Sequence, residues 1–307
     1  MKAIQYKDYG SSEVLAQVEL PVPSIQNEYD VLVQVKAVGV NPIDIKIRMG
    51  FMKAIRPVEM PFVPGGEAAG IIVAVGDKVS TFKLGDEVIA MTKTNAYAEY
   101  VTANENFVVL KPQGLSFVEA ASIGVNIGTA QSVLFTVGKL EKGQSVLIQG
   151  GGGAAGGAMV QMAKAAGAYV IATASGKGLE LAKSLGADEV VDYKLQDVVN
   201  LVKDVDLVAD TAGGEAQAKL FQVLKPSGIL LSIVIPPSQE LAKQYNVIAD
   251  FVVSDISAKT LQNGIELLKA GAFKPVVSKT FKLDEAAIAQ DFLMAGGVNG
   301  KVVLTVD

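Results

Sequence analysis

The stretch Ser145-Val-Leu-Ile-Gln-Gly150-Gly-Gly-Gly-Ala-Ala-Gly156-Gly-Ala-Met-Val-Gln-Met-Ala-Lys164 decides the architecture. An apolar run of strand length enters a cluster of glycines and leaves as an amphipathic helix. Gly151, Gly153 and Gly156 satisfy G-x-G-x-x-G, while Gly150, Gly153 and Gly156 satisfy G-x-x-G-x-x-G. Residues without a Cβ let the backbone turn tightly and approach a pyrophosphate. The phosphate charge then sits on the N–H groups that open the helix, here around Ala154 and Ala155. The competing reading is a flexible surface connector. The strand before the loop and the helix after it favour the dinucleotide site. No Lys-Ser or Lys-Thr closes the loop, so it is not of the Walker type.

Working outward, the same rhythm continues. Stretches 145–149, 169–173, 189–192, 206–209 and 228–234 read as strands, and 154–166, 178–185, 196–203 and 215–224 as helices between them. Several of these strands are apolar on both faces, which predicts an α/β domain with a parallel sheet covered on both sides by helices. Before about residue 115 the pattern is different. Val31-Leu-Val-Gln-Val-Lys-Ala-Val38 alternates apolar and polar residues, and further short strand candidates are punctuated by Gly76-Asp77 and Gly85-Asp86. This part predicts a compact, mostly antiparallel barrel or sandwich. Ser116-Phe-Val-Glu119 is a capping-box signature that opens a helix. The tail reads as helix 259–270, strand 275–283, helix 284–295 and strand 301–306, and pattern alone does not place it.

Composition excludes much. The chain has 307 residues, half of them apolar and 19% charged, with a formal charge of -5. That length suits two cores better than one. The acidic balance, with Arg48 and Arg56 the only arginines, argues against a nucleic-acid partner. There is no cysteine and no histidine. Disulfides, thiolate nucleophiles, Ser-His-Asp triads and His- or Cys-bound zinc are therefore out of reach. No apolar targeting stretch opens the sequence, and the longest uncharged runs are broken by glycine and polar residues. The expectation is a soluble, cytoplasmic protein without a membrane partner.

The second strand of the glycine-loop unit ends Ile171-Ala-Thr-Ala-Ser175-Gly-Lys177. An enzyme selective for NAD usually offers an acid near this point to the ribose 2′-hydroxyl. Here a hydroxyl and an ammonium stand instead, which suit a 2′-phosphate, so NADPH is the expected cofactor. The alternative for Lys177 is a solvated lysine at a helix start. Tyr193, just past the third strand, flanks the adenine end or is an ordinary exposed tyrosine.

Taken together, these residues resemble the medium-chain dehydrogenase/reductases, in their zinc-independent quinone oxidoreductase (zeta-crystallin-like) branch. The resemblance rests on Gly39-Val-Asn41-Pro-Ile-Asp44-Ile-Lys46, Pro64-Gly-Gly-Glu67-Ala-Ala-Gly70, Val75-Gly76, Gly85-Asp86-Glu-Val88 and the glycine loop. It continues through Ser184-Leu-Gly-Ala-Asp-Glu-Val-Val-Asp-Tyr193, Asp210-Thr-Ala-Gly213 and Gly300-Lys301-Val-Val-Leu304. It implies a Rossmann-type doubly wound parallel sheet over 124–255 and a GroES-like, mostly antiparallel β-barrel domain over 1–123, completed by 256–307. Where zinc-dependent relatives carry a cysteine and a histidine, this chain has Asn41 and Gly66, so the resemblance implies no metal. It implies hydride transfer from NADPH to quinones or to double bonds conjugated with a carbonyl, and a homodimer through the nucleotide domain.

For the chemistry, Asn41 offers an amide, and Lys46 a proton or a ribose contact, with Asp44 orienting it; the alternative is a capped helix start with a solvated lysine. Glu67 reads as structural. The cofactor set is Gly150, Gly153, Ala154, Ala155, Gly156, Ser175, Lys177 and Tyr193. Thr129, Ser232, Ile233, Phe251 and Val253 join it at the nicotinamide end by resemblance alone. The other functions weighed are a non-enzymatic NADPH-binding sensor or structural protein and an enoyl-thioester reductase.

Overall fold

The computed structural model describes residues 1–92 and 94–307, which divide into two compact units. The first comprises Met1–Gly124, Ser257–Lys259 and Pro275–Asp307; the second comprises Val125–Ile256 and Thr260–Lys274. The tail therefore does not belong to the first unit as a block from residue 256. Most of helix Ala258–Lys269 lies with the second unit, where a Cβ on Gly264 would meet Ile127 Cγ2 at 2.3 Å. That close packing, and the hydrogen bonds from Gln161 Nε2 to Lys274 O and from Asn263 Nδ2 to Gln131 Oε1, hold the segment there.

In the second unit six strands form one wholly parallel sheet. Its spatial order is Glu189–Asp192, Tyr169–Ala174, Ser145–Gln149, Val205–Asp210, Leu224–Ser232, Ile248–Phe251. Numbered along the chain this is 3-2-1-4-5-6, the doubly wound order, with the order reversing at Ser145–Gln149. The central strands are apolar on both faces because helices cover both; Leu147, Val208, Leu230 and Phe221 share one buried cluster. The last strand but one begins four residues before the predicted Gly228. Its opening pairs Leu224 with Val205 and then slips register, with Ser227 at φ +64°, so Lys225-Pro-Ser looks like a turn to a sequence reader.

The first unit holds a seven-stranded mixed sheet and a separate hairpin, Lys2–Gln5 with Ala16–Glu19. Every pairing is antiparallel except Val277–Lys282 with Lys301–Thr305. The organising strand is Asp30–Val40. One edge pairs along Glu67–Val75, and the other is shared between Tyr100–Asn104 at its start and Lys301–Thr305 at its end. Burial along it alternates up to Lys36, as the sequence pattern predicts, and then becomes continuous over Ala37–Val40. The predicted capping box is present: Ser116 Oγ accepts from Glu119 N at 3.2 Å, and Glu119 Oε2 accepts from Ser116 N at 2.9 Å. One helical stretch, Phe117–Val137, is long and apolar enough to cross a membrane by length and composition, but 72% of its qualifying window is buried inside the protein.

Strands Asp30–Val40 and Glu67–Val75 approach through Gly70, where a Cβ would stand 2.1 Å from Gln34 O. A carbonyl in a ladder cannot move aside as a side-chain end can. Gly70→Ala is therefore expected to cost about 1–3 kcal/mol, in the range of overpacked cores, read by urea unfolding. An unchanged midpoint would show that the sheet yields there.

Candidate cofactor and acceptor sites

Parallel register sets one row of strand ends side by side. Asp192 pairs with Ala174, Thr173 with Gln149, Gln149 with Asp210, Asp210 with Ser232, and Ser232 with Phe251. Every candidate cofactor residue of this unit except Thr129 sits on that row or follows it: Gly150 to Gly156, Ser175 and Lys177, Tyr193, Ser232 and Ile233, Phe251 and Val253. In open α/β sheets this crevice, beyond the carboxyl ends at the reversal of strand order, is where ligands bind.

The glycine loop is shaped by contacts a side chain would block. Gly150 has φ +82°, the left-handed region open to glycine. A Cβ on Gly156 would lie 2.2 Å from Gly150 O, and one on Gly151 would lie 2.6 Å from the Ala172 Cβ. Gly153 caps helix Ala154–Ala165, and the first bond of that helix is Gly157 N to Gly153 O at 2.8 Å. The N–H groups of Ala154, Ala155 and Gly156 therefore belong to the turn that has no preceding carbonyls to bond. They carry the positive end of the helix dipole. This bare cradle fits a dinucleotide pyrophosphate.

Beside it, Ser175 Oγ donates to Tyr193 Oη at 3.0 Å, so two residues 18 apart in sequence meet at neighbouring strand ends. Lys177 is exposed at the first position of helix Lys177–Ser184, next to Gly176. Asp210, fully buried, ties the row together. Its Oδ1 accepts from Ala212 N at 3.0 Å and Gly213 N at 2.7 Å, and its Oδ2 accepts from Gln217 Nε2 and Ser232 Oγ, both at 2.8 Å. The Ser232 hydroxyl is thus spent inside the protein, and its place in the site is through the backbone it fixes. Ile233 is half-buried; Phe251 is partly exposed and Val253 largely so. Thr129 is buried, and its Oγ1 shares a hydrogen bond of 2.9 Å with Ser254 Oγ. Asp210 and Thr211, whose Oγ1 donates to Gln149 O at 2.6 Å, escaped notice as site-shaping residues although Asp210-Thr-Ala-Gly213 is a visible motif.

In the first unit, Asn41 and Asp44 open helix Pro42–Arg48, with proline at its first position where no N–H is missed, and Lys46 lies in its last turn. Asp44 Oδ2 accepts from Asn41 N at 2.9 Å and from Tyr97 Oη at 3.3 Å. Lys46 is half-buried. The Asn41 amide points into a buried ion pair. Lys301 Nζ lies 2.7 Å from Glu67 Oε2 and 2.7 Å from Asn41 Oδ1, and Asn41 Nδ2 donates to Gly39 O at 3.2 Å and Glu67 Oε2 at 3.4 Å. The amide donors considered for an acceptor oxygen are therefore committed within the fold. Lys301 and Tyr97 are the residues that sequence reasoning missed here; Gly300-Lys301 was visible as a motif, but its partners lie 234 and 260 residues away. Among the described residues no group of three carboxylates stands ready to hold a metal ion.

Sequence and structure comparisons agree with this geometry. Residues 27–113 match the family described as alcohol dehydrogenase GroES-like domain, and 185–304 the one described as zinc-binding dehydrogenase. The chain is 37% identical to the 2-methylene-furan-3-one reductase of Solanum lycopersicum, over 99% of this chain and 79% of that protein. It is 33% identical to the quinone oxidoreductase of Mus musculus, over 99% and 97% of the two chains. The quinone oxidoreductase of Escherichia coli, solved in complex with NADPH, superposes with a TM-score of 0.90 at 25% identity, covering 100% of both chains. The chain belongs to the medium-chain dehydrogenase/reductase superfamily, in its quinone oxidoreductase branch.

Burial pushes the Asp44 carboxyl up, from 3.8 to about 6, against the opposing pull of the Asn41 N–H, the Lys301 ammonium and the Tyr97 hydroxyl. The folded state thus holds a proton on Asp44 more tightly than the unfolded chain does. This contribution to stability is full below pH 4 and is lost as the pH rises through about 6, a change of about 3 kcal/mol. Urea unfolding of the wild type and of Asp44→Asn between pH 4 and 7 isolates it: the variant is expected to lack this decline. Parallel pH profiles for the two proteins would refute the assignment.

Proposed function

We propose that the chain is a metal-free, NADPH-dependent oxidoreductase that reduces quinones or the conjugated double bond of enones and alkenals by hydride transfer. The observation that carries this reading is the glycine cradle, with Ser175 and Tyr193 joined at the adjoining strand end and Lys177 two residues on. Backbone N–H groups of Ala154, Ala155 and Gly156 hold the pyrophosphate, while Ser175 and Lys177 meet the 2′-phosphate and Tyr193 flanks the adenine end. Thr129, Ile233, Phe251 and Val253 line the nicotinamide end. NADPH, when bound, supplies the hydride. On the acceptor side, the helix opened by Asn41 and Asp44 presents Lys46, which with water is the source of the proton that the reduced acceptor takes up. Asn41 and Gly66, at the two positions where zinc-dependent relatives carry ligands, support the metal-free reading. Relatives named as reductases speak against a purely non-enzymatic protein.

The decisive experiment is NADPH oxidation by the purified protein across quinones, alkenals, enones and enoyl-CoA esters. Turnover with the first three classes, undiminished by a metal chelator, is expected. Tight NADPH binding without turnover, or loss of activity on chelation, would overturn the proposal. Reversing the charge at the phosphate end should be selective: Lys177→Glu is expected to weaken NADPH about tenfold or more, roughly 1.4 kcal/mol, with NADH binding unmoved. Equal losses for both nucleotides would remove Lys177 from the site.

The proposal includes a cytoplasmic homodimer. Strand Ile248–Phe251 closes one end of the parallel sheet and leaves Ile248 59% exposed, an edge suited to pairing with a second copy. Light scattering after gel filtration is expected to give twice the chain mass for the wild type and a shift toward monomer for Ile248→Lys. A monomeric wild type would dismiss the dimer.

A further inference from the structure

The ion pair of Lys301 and Glu67 is nearly inaccessible, at 3% and 0% side-chain exposure, and nothing in the reaction scheme above uses it. Buried pairs contribute little net stability, because two charges must be stripped of water to form them. A pair kept in such a place invites the question of what else it does. Backbone register explains how it forms. Val302 pairs with Val40 and Ala68 with Val38 in antiparallel ladders. Continuing both by one residue sets Lys301 opposite Asn41 and Glu67 opposite Gly39. Gly39 makes the room: a Cβ there would meet Glu67 Oε2 at 2.4 Å and Lys301 Cε at 2.9 Å.

Asn41 sits 4% exposed between these charges. Its Oδ1 accepts from the Lys301 ammonium, and its Nδ2 donates to Gly39 O and Glu67 Oε2. Turning the amide over would set NH2 against an ammonium, and oxygen against a carboxylate and a carbonyl. Every contact would become repulsive, so the amide has one orientation. Its backbone N–H meanwhile holds Asp44 Oδ2, the group that starts the helix.

We propose that Lys301 is a positioning residue of the reductase, fixing the Asn41 amide and through it the start of the helix that carries Asp44 and Lys46. This inference rests on the reading that this helix start serves the acceptor side of the reaction. Glu67 is the counter-charge that lets the ammonium be buried, and its role is structural.

The test compares four variants of the full chain at a temperature where each is folded. Lys301→Met removes the donor to Asn41. Glu67→Leu/Lys301→Met removes both charges together, so no unpaired charge is left to unfold the protein. Glu67→Gln breaks the ion pair but keeps the Lys301–Asn41 bond. Asn41→Leu removes the positioned group and keeps the pair. For Lys301→Met and the double variant, kcat for a quinone is expected to fall about tenfold with the NADPH Kd within about twofold. Glu67→Gln should lose stability yet keep kcat within about threefold. The Asn41 side-chain amide resonances should move in both variants that lack Lys301. A purely structural pair predicts instead that kcat follows stability across all of them. The proposal is overturned if the double variant keeps wild-type kcat, or if Glu67→Gln and Lys301→Met lose kcat alike. Asn41→Leu separates the two layers. If it lowers kcat while the Lys301 variants do not, only the role of Lys301 fails; if it leaves kcat intact, the acceptor-side reading fails with it.

Discussion

The nucleotide unit turns on one contact, the approach of Gly156 to the carbonyl oxygen of Gly150, where a Cβ would stand only 2.2 Å from that oxygen. Because nothing fills that space, the helix starts directly under the loop and its first N–H groups face the crevice beyond the strand ends. The rest of the unit follows from the same geometry. A parallel sheet needs helices on both faces, its strands must then be apolar on both sides, and its carboxyl ends fall into one row. Residues far apart in sequence, such as Ser175 and Tyr193, become neighbours because their strands are.

The first unit solves a different problem. At its centre an asparagine is wedged between a buried lysine and a buried glutamate. The charges satisfy each other and the amide, and glycine at 39 lets them come together. The cost is desolvation; what it secures is a single orientation for the residue that starts the candidate acceptor-side helix. Asp44, on that helix, is held by a backbone N–H and a buried tyrosine, and burial makes it a carboxyl that titrates much closer to neutrality than an exposed one.

Much of this is legible in the sequence. Strands Ser145–Gln149 and Glu189–Asp192 have the limits their apolar runs predict, and the Ser116–Glu119 capping box forms as read. Less was legible where tertiary pairing overrides local pattern. Leu224–Ser232 includes Pro226, which signals a turn, yet pairing with Val205–Asp210 on either side of a bulge at Lys225–Gly228 keeps it one strand. Helix Val198–Leu201 is shorter than its polar-apolar pattern suggested, since Asp197 caps it with a bond to Val199 N at 3.4 Å. The tail's elements follow its local pattern, but their division between the two units does not, because burial partners, and not local propensity, decide where a helix packs.

By itself the sequence established the parallel-sheet unit, its glycine loop and the absence of histidine and cysteine chemistry. These are local facts: period, missing side chains and residue type carry them without reference to distant parts of the chain. Only the tertiary structure decided that the Ser232 hydroxyl serves Asp210, that the Asn41 amide is turned inward, and that Lys301 is its partner. Those outcomes depend on which strands lie side by side and in what register. Register couples residues hundreds of positions apart through backbone hydrogen bonds that no single residue announces.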